Sequence, residues 1–296
     1  MKYAITGAAG NISKPITEAL LKAGHEVTVI GRDAQILSEL VAAGAEAAIG
    51  SVENADFLKE AFKGADIVYT MVPPNFVVTD WIKFIDQVGE NYAAAIKANN
   101  IRYVINLSSI GGHLPTGAGP VSGLNHVESI LNELANVNIR HLRPGYFFHN
   151  FLSLAGMVKH MNIIGSNFGG NGNKVVMAHP KDIAEAAIDE LLRHDFTGHS
   201  IRYIASDVRS GSEIAKVLGS AVGNTELPWV EFTDEQSLEG LLQAGVPKEQ
   251  ATKYMEMGQS MKSGKMNEDY FKHPPVLSNT KLEDFAAEFA AAYNKL

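Results

Sequence analysis

Through the first half of the chain, short apolar runs alternate with longer stretches whose apolar residues recur every three or four positions. The runs at 3–5, 25–30, 45–49, 65–72, 101–107 and 138–142 read as strands. The stretches between them read as helices. The first opens at Asn11 with Ile12, Ile16, Leu20 and Ala23 on one face; the others cover 34–43, 54–62, 81–98 and 121–135. Strands alternating with helices specify a parallel sheet covered on both faces. Right-handed crossovers then favour strand order 3-2-1-4-5-6, the α/β Rossmann fold with a doubly wound sheet.

In such a sheet ligands bind beyond the carboxyl ends of the strands, near the reversal between the first and the fourth. The special residues stand at those ends: Gly7, Arg32, Ser51, Val72, Pro73, Pro74, Ser108, Pro144, Gly145 and Tyr146. The first of these turns, KYAITGAAGNIS, feeds a strand into a helix through Gly7 and Gly10. Glycines let backbone approach a pyrophosphate, and the first helical N–H groups point at it with the positive end of the helix dipole. Ser13 stands where the third glycine of the fingerprint falls, a small residue that still lets helix and strand pack closely.

Past Tyr146 the alternation loosens. Residues 147–160 read as helical, 165–173 (GSNFGGNGN) as a glycine–asparagine loop, 175–178 as a strand, 180–193 as a helix and 200–205 as a seventh strand. Further helices are expected at 212–222, 234–244, 248–261 and 281–293. The chain therefore divides into a nucleotide-binding domain, 1–150, which the strand near 200–205 also joins, and a mixed substrate-binding C-terminal lobe, 151–296, small and mostly helical. That lobe is expected to cover the crevice and form a substrate pocket.

Composition narrows the classes. The chain has no cysteine, which excludes disulfides, thiolate metal sites and cysteine nucleophiles. A net charge of −8 without a basic stripe argues against nucleic acid as a partner. No apolar run suits a membrane span and the N-terminus lacks a signal-peptide core, so a cytoplasmic location and no membrane partner are expected. His194 and His199 flank a turn without a nearby third ligand, so no metal is expected. His113 and His160 read as surface residues, and Met255, Met257 and Met261 as core filler.

TGAAGNISKPITEAL, at 6–20, resembles the opening of NmrA-like proteins, an atypical branch of the short-chain dehydrogenase/reductase superfamily. HLRPGYFFHNFL, HPKDIAEAAIDEL and TKLEDFAAEFA are similar to that family's segment after strand six, its helix before strand seven and its closing helix. The resemblance spans nearly the whole chain. It implies a Rossmann domain with a small C-terminal lobe. It also implies either NAD(P)H-dependent reduction of quinones and related compounds, or dinucleotide-dependent redox sensing without turnover.

The strand ends refine the cofactor. An acidic residue at the tip of strand two would hold the ribose hydroxyls of NAD. Gly31 stands there instead, and Arg32 follows with a planar cation suited to phosphate. NADP is therefore favoured, with NAD as the alternative; Asp33 reads as a helix cap. The candidate cofactor-binding residues are Gly7, Ala9, Gly10, Asn11, Ile12, Arg32, Ser51, Val72, Pro73, Ser108, Pro144 and Gly145. Ser108 occupies the superfamily's usual serine region, where it would contact the nicotinamide ribose.

Ordinary members of the superfamily use a tyrosine and, four residues later, a lysine that lowers its pKa. None of the nine tyrosines here is followed by lysine at that spacing, and the helix that should carry the pair reads SGLNHVESILNEL. A quinone asks less of the protein, because it accepts hydride readily and its oxyanion needs modest help. Tyr146 and His126 are the candidate catalytic residues, and Phe76, Tyr146 and Phe147 the candidate walls of a slot for a small planar substrate. Glu128 reads as solvated or salt-bridged. A protein partner follows only from the sensor reading.

Overall fold

The computed structural model describes residues 1–170 and 173–296; Asn171 and Gly172, in the expected glycine–asparagine loop, lie outside the described residues. The first half alternates as the pattern requires. In order come β1 (Lys2–Thr6), α1 (Ser13–Lys22), β2 (Glu26–Gly31), α2 (Ser38–Ala42), β3 (Glu46–Ile49), α3 (Ala55–Ala61), β4 (Ile67–Met71), α4 (Trp81–Ala98), β5 (Tyr103–Leu107), α5 (Pro120–Asn132) and β6 (Asn138–Pro144). Then follow β7 (Tyr146–Phe147), α6 (Ala155–Met161), β8 (Ile164–Ser166), β9 (Lys174–Ala178), α7 (Pro180–Arg193) and β10 (His199–Ile204). The chain ends with β11 (Asp207–Ser210), α8 (Gly211–Ala221), β12 (Trp229–Glu231), α9 (Asp234–Gln243), α10 (Lys248–Lys262), α11 (Glu268–Lys272) and α12 (Leu282–Lys295).

The main sheet has the order β3-β2-β1-β4-β5-β6-β10, the expected doubly wound order with the seventh strand added beside β6. Its central strands are buried because both faces are covered: Tyr3 to Thr6, Ile67 to Thr70 and Val104 to Leu107 are all buried, whereas the edge strands β3 and β10 are partly exposed. At the reversal, β1 and β4 pair from Tyr3 opposite Ile67 to Ile5 opposite Tyr69. One residue further, Thr6 replaces the ladder with its side chain. Its hydroxyl accepts from the Met71 N–H at 3.0 Å and donates to the Tyr69 carbonyl at 3.1 Å.

A second polar chain ties β4, β5, β6 and α5 together. The Thr70 hydroxyl donates to Asn106 Oδ1, Asn106 Nδ2 meets His141 Nδ1 at 3.1 Å, and His141 Nε2 meets Asn132 Oδ1 at 3.0 Å. With Asn106 donating, the imidazole proton sits on Nε2 and every member is satisfied. Burial pushes the His141 pKa down to about 4, so the ring is neutral at ordinary pH.

By contact density the chain forms two compact units. One is 1–109, 123–143 and 183–202; the other is 110–122, 144–182 and 203–296. The first holds most of the sheet. The change of unit falls shortly after β5 and near the end of β6, and the first turns of α5 and α7 go with the second unit. The second unit has its own core around Phe148, Phe151, Phe285 and Phe289, with Ile214 and Leu218 of α8.

Several segments differ from the expected elements. The expected helix 34–43 is helical only at Ser38–Ala42, because Asp33 Oδ1 accepts the Gln35 N–H at 2.8 Å and holds the preceding residues in turns. Residues 147–160 split into the short β7, a 3₁₀ segment Phe148–Leu154 and α6. Two small sheets were not foreseen: β9 lies between β11 and β7, and β8 pairs with β12.

Candidate functional site: a dinucleotide cleft at the sheet reversal

A cleft of about 300 Å³ opens in the first unit at the carboxyl ends of β1, β2, β3 and β4. The turn Gly7–Ala9 forms its floor. Gly31, Arg32 and Asp33 stand at the tip of β2, Gly50 to Glu53 after β3, and Met71, Pro73 and Pro74 after β4. Gly7 has φ +63°, and a Cβ there would lie 2.7 Å from Met71 Sδ, so this position requires glycine. At Gly10 an added Cβ would lie 3.2 Å from the Gly7 carbonyl oxygen, whose partner is the Gly10 N–H at 2.9 Å. The turn is thus tightened by its own backbone.

It delivers the chain into α1, whose N-cap residue Ile12 makes no side-chain cap and whose first turn carries no acidic residue. Two other helix starts in the unit are capped, since Asn54 accepts from the Phe57 N–H and Asp80 from the Lys83 N–H, while the short α2 is uncapped like α1. An uncapped helix N-terminus free of acidic residues, reached through a glycine turn that floors a cleft, suits an anion.

The charges around the cleft are sorted. Asp33 accepts the Gln35 N–H in a local turn and does not cap α2, whose N-cap residue is Leu37. Ser51 Oγ donates to Glu53 at 3.2 Å and accepts the Glu53 N–H. Arg32 is exposed and makes no hydrogen bond or ion pair among the described residues. Gly31 adds no side chain, and a Cβ there would press on Leu37 at 3.3 Å. A 2′-phosphate would therefore meet an unengaged guanidinium.

The remaining candidates are placed as follows. Gly7, Ala9, Arg32, Ser51 and Pro73 line the cleft; Gly10, Asn11, Ile12 and Val72 adjoin it in sequence without lining it. Ser108, directly after β5, is buried, and its hydroxyl has no partner among the described residues. A buried hydroxyl left so costs about 1–3 kcal/mol, a penalty that a ligand hydroxyl would remove. Pro144 and Gly145 belong to the second unit, where the Gly145 N–H donates to the Ile204 carbonyl at 2.9 Å. Packing requires glycine at Gly145, since a Cβ would lie 2.6 Å from the Val176 oxygen.

Of the catalytic candidates, Tyr146 sits in the second unit with its ring near those of Phe151 and Phe168, 5.3 and 5.4 Å away. Burial above all pushes its phenol pKa up, so it stays protonated and can donate but not abstract a proton. His126 faces α4, where Nδ1 meets Asp86 at 2.9 Å, and does not line the cleft. α4 and α5 approach closely there because Gly89 meets Val127 and Gly123 meets Ile85. Glu128 is buried and grips Arg143 through two bonds of 2.9 and 2.6 Å. Phe76 is exposed and packs against Trp81 at 5.9 Å; Phe147 is half-buried in β7.

Two features escaped the sequence. Both ring nitrogens of His113, expected at the surface, are buried without a partner among the described residues. His149 and His179 converge on Glu288, at 3.1 and 3.2 Å. His179 Nδ1 accepts the Lys181 N–H, which leaves its proton on Nε2 aimed at Glu288. That tautomer makes a hydrogen-bonded clamp on α12 and not a ready metal ligand. Histidines 30 residues apart carry no local signal of this.

The fold and the cleft are those of a doubly wound sheet with a ligand crevice at the strand reversal. Residues 7–137 match the family described as NAD(P)H-binding. Across 82% of its length the chain is 24% identical to 81% of an NAD(P)H azoreductase from Xenophilus azovorans. Its fold is shared with the NADPH complex of the quinone oxidoreductase QOR2 from Escherichia coli, at 17% identity, 99% coverage of both chains and a TM-score of 0.78. It is shared also with NmrA, a negative transcriptional regulator in complex with NADP, at 15% identity, 98% and 91% coverage and a TM-score of 0.69. The NmrA-like resemblance is thus present in the three-dimensional fold. No helix among the described residues is long and apolar enough to cross a membrane.

Proposed function

We propose that the protein is an NADPH-dependent oxidoreductase that reduces a small planar electrophile such as a quinone. The observation that carries this reading is a cleft lined by an unengaged arginine and floored by the glycine turn that leads into an uncapped helix N-terminus. The amides of the turn from Gly7 to Ile12 would hold the diphosphate. Arg32 would hold the 2′-phosphate through its planar donor pair, and Ser108 a ribose hydroxyl. Bound there, the reduced nicotinamide supplies the hydride. The chain itself supplies position and hydrogen-bond donors, which suffices for an acceptor as electrophilic as a quinone. The azoreductase and quinone-oxidoreductase relatives support an acceptor of this flat, conjugated class.

A second reading, an NADP-binding redox sensor that acts on a protein partner, is favoured by α5. It has neither tyrosine nor lysine, and its His126 and Glu128 are engaged with Asp86 and Arg143. The deciding experiment follows NADPH absorbance without flavin while quinones, azo compounds and enones are added. Acceptor-dependent oxidation supports the enzyme. Tight NADP binding with no oxidation across the panel establishes the sensor, and failure to bind either dinucleotide refutes both.

A further inference from the structure

We propose that residues 72–79 form a strap that folds over the adenosine half of the bound coenzyme and retains it, an inference that rests on the dinucleotide reading of the cleft. The cleft is small, about 300 Å³, and Gly31 and Arg32 at the tip of β2 line it. In doubly wound folds that tip meets the adenosine ribose, so the cleft receives this half of a dinucleotide. Its lining includes Ile36, Leu37, Val52 and Phe84, side chains suited to a flat base.

Two rims of the cleft hold large apolar side chains in water. β2 and β4 flank β1 in the sheet, so the segments that follow them leave from either side of the strand that feeds the glycine turn. Ile36, after β2, is 60% exposed; Phe76 and Val77, after β4, are 42% and 89% exposed. Pro73, Pro74 and Asn75 line the cleft, whereas Phe76 and Val77, directly after them, do not. A movement that presses these two onto an apolar guest removes their surface from water and is favourable.

The segment runs between two fixed ends. At its start, the Met71 N–H donates to the Thr6 hydroxyl at 3.0 Å and the Met71 carbonyl accepts from the Tyr92 hydroxyl at 2.6 Å. At its end, Asp80 caps α4 by accepting the Lys83 N–H at 2.9 Å. Between them the chain forms neither helix nor strand. Asn75 Oδ1 accepts the Val77 N–H at 3.2 Å, a local turn that keeps Phe76 and Val77 together. Phe76 rests on Trp81 at 5.9 Å, and the base of the coenzyme offers its ring a second flat partner. The strap closes on that base and must reopen before the coenzyme leaves.

The chain has no cysteine, so a single introduced thiol reports alone. The test alkylates Val77→Cys and, as an exposed control just past α3, Lys63→Cys. Saturating NADP, or adenosine 2′,5′-bisphosphate by itself, should slow the reaction at position 77 by about tenfold or more and at position 63 by less than about twofold. Nicotinamide mononucleotide should protect neither. A ligand lying in an open cleft would leave position 77 reactive, because Val77 does not line it. In stopped-flow displacement, Phe76→Ala should release NADP about tenfold faster, with association within about threefold of wild type. Equal alkylation of Val77→Cys with and without bound NADP, protection by the mononucleotide in place of the bisphosphate, or unchanged release from Phe76→Ala overturns the strap and leaves the dinucleotide reading intact. A wild type that binds neither NADP nor the bisphosphate overturns both.

Discussion

Acid should unfasten the sheet through His141. The ring is neutral because burial holds its pKa near 4, against about 6.5 for a free imidazole. A depressed folded pKa contributes stability that is complete above about pH 6.5 and drains away as pH falls toward 4. At about pH 5 the unfolded chain is almost fully protonated at this residue while the folded one is mostly not. Linkage then gives a loss of about 2 kcal/mol, rising to about 3 kcal/mol below pH 4. Other groups titrate in this range, so the measurement must be differential. His141→Gln keeps an acceptor for Asn106 and a donor for Asn132 but cannot titrate. Urea unfolding of both proteins at about pH 7.5 and about pH 5 should show wild type losing about 2 kcal/mol more than the variant. Equal acid losses would refute the claim that this imidazole is folded in its neutral form.

Two further substitutions probe the site and its support. Arg32→Ala should weaken NADPH by about tenfold to a hundredfold and NADH by about threefold or less, read by fluorescence titration, since only the 2′-phosphate distinguishes them; equal losses defeat the assignment. Glu128→Ala removes the carboxylate from the buried Arg143 and should cost about 3–5 kcal/mol in urea unfolding, and a cost under about 1 kcal/mol would mean that water reaches the guanidinium.

The sheet was legible because its strands are buried on both faces and its helices on one, a contrast that apolar spacing records directly. Strand order followed from handedness. β8, β11 and β12 were not legible, since strands of three or four residues are too short to show a period. The engagement of His126 was hidden because its partner, Asp86, is 40 residues away on another helix. His113 reads as a surface residue, and Gly111 and Gly119 lie in the same loop. Those same glycines instead let the loop pack closely on Met266 and Lys253.

The Thr6 bridge at the fork between β1 and β4 limits how a ligand can arrive. Prising these strands apart would strand a hydroxyl, an amide and a carbonyl together in a dry interior, so the floor behaves as a rigid plate. Admission and release of a long, charged guest must then proceed sideways, past the proline-rich rim after β4.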